Sequence, residues 1–221
     1  MKLRTFLLLL ACLGLTANAT DKAATIRVLC YNIHYGQGMD RKYDVERIAR
    51  VIAKFKPDVV ALQEIDVGVE RSGRVHQIRE LGRLTGMASR YGPTQHYQGG
   101  LYGNGILTKL PILDVAIHPL PYTEATKERT TYPRGAIAAK LKAANGTTFR
   151  FISTHFQHNV PEDRHEEAKA INKLFAGEKE ATPTILAGDM NAAPGSDPIN
   201  ELLKRWTHSS NEPDEPTAPS T

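Results

Sequence analysis

Cysteine is scarce: the 221 residues contain two, Cys12 and Cys30. Cys12 lies in an N-terminal stretch with the pattern of a leader. Removal of that stretch leaves Cys30 alone, which excludes an intrachain disulfide framework. Cys30 stands in an apolar run and is expected to serve as a small buried hydrophobe. Low-complexity tracts and internal repeats are also missing. Charge of one sign is not in excess either. Lys and Arg total 28 against 24 Asp and Glu, a formal charge of +4 that falls to +2 once Lys2 and Arg4 leave with the leader. So weak a basic balance does not favour a nucleic-acid groove, although extracellular nucleic acid stays open as a substrate.

Length and a hydrophobic fraction of 41% give one ordinary domain with a sizeable core. Residues 1–19 read as a secretory signal peptide. Lys2 and Arg4 form a positive start, residues 6–16 are nearly all apolar, and Ala17-Asn18-Ala19 fits small-x-small cleavage. The apolar stretch is too short for a membrane span. The protein is therefore expected to be secreted or periplasmic, with its domain spanning residues 20–221.

The hydrophobic pattern places strands at 25–31, 58–62, 104–108, 112–117, 135–142, 147–154 and 184–187. The first is apolar on both faces, as in a central strand. Asn145-Gly146 marks a hairpin. Helices are expected from Asp44 to about Lys56, over 75–84, from Pro161 to about Ala176, and after Asp197-Pro198. Hairpins mixed with crossing helices point to a mixed α/β (α+β) fold. Residues 211–221 carry three prolines and no periodicity.

Three segments deliver polar groups behind apolar runs: Leu62-Gln63-Glu64, Ser153-Thr154-His155-Phe156 and Gly188-Asp189-Met190-Asn191. Strand ends are where α/β proteins build sites. Glu64 and the amide of Asn32 suit Mg²⁺, which takes few carboxylates and keeps its waters. A structural ion pair and a turn-forming Asn serve equally as an explanation. Asp189 can orient or deprotonate a water and Asn191 can donate to a phosphoryl oxygen, or the tetrapeptide is an Asx-turn. His155, with His158 three residues on, fits a phosphate donor better than a zinc site. Tyr102 and Asn104 fall in a glycine-rich loop, and Arg134 precedes a strand where its guanidinium could clamp a phosphate. Surface chemistry is the alternative for all three. Arg71, Arg74, Arg79 and Arg83 look like a solvated helix face, with phosphate steering as the lesser reading.

Asn32, Leu62-Gln63-Glu64, Tyr102-Gly103-Asn104, Ser153-Thr154-His155 and Gly188-Asp189-Met190-Asn191 occur in the order found in the endonuclease/exonuclease/phosphatase superfamily, which the chain resembles from about Thr25 onward. The resemblance implies a deoxyribonuclease I-like, four-layer α/β/β/α sandwich and Mg²⁺-assisted hydrolysis of a phosphoester, with Mn²⁺ as an alternative ion. It implies metal-side roles for Asn32 and Glu64, a phosphate contact for His155, and positioning of water and phosphate by Asp189 and Asn191. Tyr102, Asn104 and Arg134 would bind substrate: a phospholipid, sugar phosphate or nucleic acid. The family's closing Asp and Ser-Asp-His segments have no counterpart here. The domain is thus expected to be incomplete at its C-terminal end, lacking its last strands and much of its activity, or else to be a secreted binding module that kept the fold. A monomer is expected. Mass spectrometry of exported protein should find cleavage between Ala19 and Thr20; a chain retaining Met1 refutes the leader.

Overall fold

The computed structural model describes residues 24–177 and 182–209. The expected leader and the proline-rich segment 211–221 lie outside the described residues. Two four-stranded sheets form the centre. One holds β1 (Val28–Asn32), β2 (Val59–Val67), β3 (Ala88–Tyr97) and β4 (Gly100–Thr108), in the order β1-β2-β4-β3. The other holds β5 (Ile112–Pro119), β6 (Gly135–Lys142), β7 (Thr148–His155) and β8 (Thr184–Asp189), in sequence order. Each sheet joins one parallel pair, β1 with β2 and β7 with β8, to antiparallel neighbours.

Side-chain alternation along β2 explains the layering. Val59 and Ala61 face the second sheet, in a core shared with Ile106, Ile137, Phe149 and Phe151. Val60 and Leu62 face the other way, under α1 (Val45–Phe55) and α2 (Gln77–Thr85), among Ile48, Ile52, Ile78 and Leu81. The outer face of the second sheet is covered by α3 (Pro161–Phe175) and α4 (Asp197–Leu203) through Ile152, Phe156, Ile171 and Leu202. The result is the four-layer α/β/β/α sandwich. Asp44 caps α1, its Oδ1 accepting from Arg47 N at 2.7 Å. Gly86 ends α2 in the left-handed conformation.

Several expectations need correction. Among the described residues β1 is an edge of its sheet, and Cys30 on it is exposed. The Sγ lies 3.7 Å from Gln63 Oε1 instead of in a core. Strand β3 was not expected, because Gly92 and Pro93 interrupt its pattern. It is an edge strand with a register shift just after Pro93, where a missing N–H is tolerated. Tyr102 and Asn104 are not in a loop but buried in β4. β2 does not stop at Leu62; it runs on to Val67 through a bulge.

β8 meets β7 closely at Gly188, where an added Cβ would fall 2.4 Å from the Thr154 carbonyl oxygen. Gly188→Ala must therefore push the two strands apart. It should cost about 1–3 kcal/mol, the range for overpacking, read as a lower melting temperature; an unchanged melt would show that β8 can move freely.

Candidate active site

Glu64 owes its position to the bulge. Leu62 pairs with Gly105 and Ile65 with Gly103, so Gln63 and Glu64 together oppose Asn104. The extra residue lets both Leu62 and Ile65 face the helices, and Glu64 takes a positive φ of 60°. Bulges re-aim side chains beside active sites. Glu64 Oε1 accepts from Asn32 Nδ2 at 2.9 Å. The same amide donates to Asp189 Oδ2 at 3.0 Å, and its Oδ1 accepts from His34 N at 2.9 Å. Asn32 thus stands between two carboxylates that arrive from different sheets.

Asp189 ends β8, and its Oδ1 accepts from Asn191 N at 3.0 Å. This Asx-type turn puts Asn191 in the left-handed region at φ 47°, which asparagine tolerates. The Asx-turn is thus present, and it sets the Asp189 and Asn191 side chains beside Asn32 and His155. Asn191 Nδ2 donates to Phe156 O at 3.0 Å and lies 3.0 Å from His155 Nε2.

His155 ends β7 and is buried. Arg134 Nη1 reaches its Nδ1 at 3.3 Å, and Arg134 Nη2 reaches His158 Nδ1 at 3.2 Å. A guanidinium only donates, so the neutral His155 ring carries its proton on Nε2. That N–H points at another donor, Asn191 Nδ2. Turning the amide over would exchange this conflict for one between Oδ1 and the Phe156 carbonyl. Asp189 Oδ2, at 4.0 Å from Nε2, is beyond hydrogen-bond reach. His155 Nε2–H and Asn191 Nδ2 thus face each other as donors with no protein acceptor between them. Arg134 Nε is buried without a partner as well.

These groups open into a cavity of about 330 Å³ lined by His34, Glu64, Arg71, Gln95, Tyr97, Tyr102, Tyr132, Arg134, His155, His158 and Asn191. Asn104 is not among them; its Nδ2 donates to Gly135 O at 2.8 Å and ties β4 to β6. Glu64 takes part in none of the ion pairs among the described residues. No cluster of three or more His, Cys, Asp or Glu side chains is present among them that could hold a metal. The oxygen donors are a carboxylate pair and one amide. That set suits a hard cation that keeps several waters and does not suit a soft one.

Sequence reasoning missed several supports. Gln77 is buried; its Nε2 donates to Tyr35 O at 2.6 Å and its Oε1 accepts from Asp66 N at 2.9 Å. It fastens the strained pair His34 (φ 45°) and Tyr35 (φ 43°) to β2. Gln63 Nε2 donates to Ser153 Oγ at 3.2 Å, joining the sheets below the site. Tyr132 stacks on His158 with ring centroids 5.4 Å apart. The polar residues at 63 and 77, each set in an apolar pattern, were the available signal.

The chain matches the Endonuclease/Exonuclease/phosphatase family over residues 29–221 and belongs to it. Among solved structures it is similar to a family protein from Bacteroides vulgatus, at 22% identity over 81% of this chain and 70% of that one, with a TM-score of 0.64. A Beutenbergia cavernae member gives 22% identity and a TM-score of 0.64, over 76% of this chain but 48% of its own. A mannosyl-6-phosphatase from Bacteroides thetaiotaomicron gives 18% and 0.63, over 81% of this chain and 70% of its own. This chain thus spans about half the length of one of these relatives and somewhat over two thirds of the others. No curated protein matches the sequence significantly.

Burial first, and the Arg134 charge second, push His155 well below the ordinary histidine value, against a smaller opposing pull from Asp189. The folded protein therefore resists a proton that the unfolded chain accepts below about pH 6.5. His155 contributes no penalty above that pH and destabilises progressively as pH falls through it. His155→Gln should flatten the decline of melting temperature on the acid side of pH 6.5; identical acid profiles would show that the ring titrates freely.

Proposed function

We propose that this protein is an exported, monomeric, Mg²⁺-assisted phosphoric ester hydrolase, with Mn²⁺ able to replace Mg²⁺. The observation that carries this reading is the facing of two donors, the Nε2–H of His155 and the Nδ2–H of Asn191, beside Arg134, whose Nε has no partner. A phosphoryl oxygen placed there accepts from all three and resolves the conflict between two facing donors. Such preorganised donors act on charge that grows in the transition state.

The remaining groups divide the labour. Asp189, held by Asn32 Nδ2 and by the Asn191 amide N–H, accepts the proton of the attacking water. The water oxygen bonds to phosphorus as the ester P–O bond breaks. Tyr102, buried and kept protonated by that burial, is a donor at the edge of the phosphate. Glu64, with the Asn32 amide oxygen once released from His34 N, would hold the ion. A bound Mg²⁺ supplies charge neutralisation at the phosphoryl and leaving oxygens. Small phosphorylated molecules, sugar phosphates or lipid headgroups, fit the cavity and the modest net charge better than a nucleic acid does. A structural relative named as a sugar phosphatase supports that preference.

The test is turnover of a chromogenic phosphodiester and a phosphomonoester in Mg²⁺, alongside orthophosphate binding. Asp189→Asn should lower the rate by about 10²–10⁴-fold, the usual worth of a general base, while phosphate binding stays within a few-fold. Glu64→Gln should weaken Mg²⁺ binding measured by calorimetry, since it keeps the size and loses the charge. Parental turnover in Asp189→Asn sinks the catalytic assignment. Phosphate binding with no turnover in any protein marks a binding module.

A further inference from the structure

Arg71 has a setting that hydrolysis at Arg134, His155 and Asn191 leaves unused. It is not part of a solvated helix face, as the spacing of four arginines suggested. It sits in a short 3-10 turn, Glu70–Ser72, ahead of α2, and its side chain is half-buried. Arg74, Arg79 and Arg83 are exposed. Arg71 Nε and Nη2 donate to the two carboxylate oxygens of Asp66, each at 2.9 Å, and the Asp66 side chain is wholly buried. The guanidinium carbon lies 3.7 Å over the Tyr35 ring, 4.7 Å from that of Tyr97 and 5.6 Å from that of Tyr102. Its backbone N–H is held by Gln98 Oε1 at 3.0 Å.

Each part of this setting fixes the plane of the guanidinium. Asp66 takes one of its two-nitrogen edges, and the rings take its faces. The outer fork, formed by Nη1 and the second hydrogen of Nη2, has no hydrogen-bond partner among the described residues. Arg71 lines the same cavity as Arg134, His155 and Asn191. Tyr102 is bounded by both arginines: Arg134 within hydrogen-bond reach of its hydroxyl, and Arg71 beside its ring. Around Arg71 the wall continues with Gln95, Tyr97 and His34, polar groups that suit a hydroxylated linker. A pin for the loop would need only the Asp66 edge. An oriented fork without a partner, on a residue that lines a cavity, is the arrangement that can recognise a tetrahedral or planar oxyanion with two parallel hydrogen bonds.

We propose that Arg71 is a second anion subsite, which takes a second phosphate of the same substrate across Tyr102 from the phosphate held by Arg134, His155 and Asn191. The preferred substrate class is then a small bisphosphorylated molecule. This rests on the phosphate role given above to the Arg134 cluster. Asp66 offsets the Arg71 charge, so the subsite works through fixed geometry more than through net charge, and lysine should replace arginine poorly.

Binding decides it without turnover. Propylphosphonate, bisphosphonates on three-carbon and five-carbon chains, and the matching phosphonocarboxylates are titrated calorimetrically into the parent chain, Arg71→Met, Arg71→Lys and His155→Ala, with thermal melts of each. One of the bisphosphonates should bind the parent about tenfold more tightly than propylphosphonate, a difference of about 1.4 kcal/mol. Arg71→Met should erase that advantage and leave propylphosphonate binding unchanged. Arg71→Lys should lose most of it. His155→Ala should weaken every ligand. If Arg71→Met melts early, Arg71→Lys decides, and a full bisphosphonate advantage there overturns the fork. Equal loss of both ligand types in the Arg71 variants, or no advantage in the parent, shows Arg71 to be a strut and leaves the Arg134 cluster standing. A phosphonocarboxylate that binds as tightly as the bisphosphonate overturns phosphate as the second group. Propylphosphonate binding untouched by His155→Ala overturns the Arg134 cluster as a phosphate site, and this inference with it.

Discussion

One amide holds the candidate site together. Asn32 comes from the edge strand of the first sheet, and its Nδ2 bridges Glu64 of the same sheet and Asp189 of the other, at 2.9 and 3.0 Å. Two carboxylates brought this close repel, and a neutral donor between them offsets part of that repulsion without adding charge. A lysine there would cancel the charge and remove the reason for a cation. Asn32 keeps the charge available. The two sheets therefore meet at their polar end through a contact whose strength depends on what else occupies the cavity, while Val59, Ile106, Ile137 and Phe151 bind them at the apolar centre.

Part of the backbone strain gathers around that contact. Non-glycine residues with positive φ include His34, Tyr35, Glu64 and Asn191, and all four belong to the site or support it. Such conformations cost on the order of 1–3 kcal/mol each and persist only where their surroundings hold them. The holders are identifiable. Asn32 Oδ1 captures His34 N, Gln77 Nε2 captures Tyr35 O, Asp189 Oδ1 captures Asn191 N, and the β4 ladder closes on both sides of Glu64. Arg71 lies over the Tyr35 ring, and Asn32 Oδ1 holds His34 N, so Arg71 and the Asn32 bridge share one short loop.

The sequence made some of this legible, for physical reasons. Helix ends were readable because caps are local: Asp44, Gly86 and Pro161 act on their own neighbours. The segments ending in His155 and Asp189 were readable because an apolar run followed by a polar group is what a strand end looks like. Glu64 was readable as a polar group behind an apolar run but not as a bulge, since a bulge is a relation between two strands and β2 alone does not encode it. Tyr102 and Asn104 looked like loop because three glycines surround them. Those glycines instead let β4 pack against its neighbours; a Cβ at Gly103 would stand 2.2 Å from Gly92 O. Cys30 looked buried because its strand is apolar, yet that strand is an edge. Arg71 was grouped with three arginines by spacing, although what sets it apart is Asp66, five residues earlier, and tyrosines from three other segments.

The cavity is electrically divided, and the division constrains what can react in it. One side presents Glu64, with Asp189 behind it across the Asn32 amide, and the other presents Arg134, His155 and Asn191, with His155 kept neutral by burial and by Arg134. A phosphate alone in such a cavity satisfies the donors and is repelled by the carboxylates. A cation alone does the reverse. Each lowers the cost of the other, so the two should enter with positive coupling, the free energy residing in groups that neither ligand satisfies by itself. A protonated His155 would attract the phosphate more strongly on entry and hold the product just as strongly. On the proposed reading, keeping that histidine neutral leaves Arg134 as the fixed charge and reserves His155 and Asn191 for directional hydrogen bonds, whose benefit would grow as negative charge shifts onto the phosphoryl oxygens.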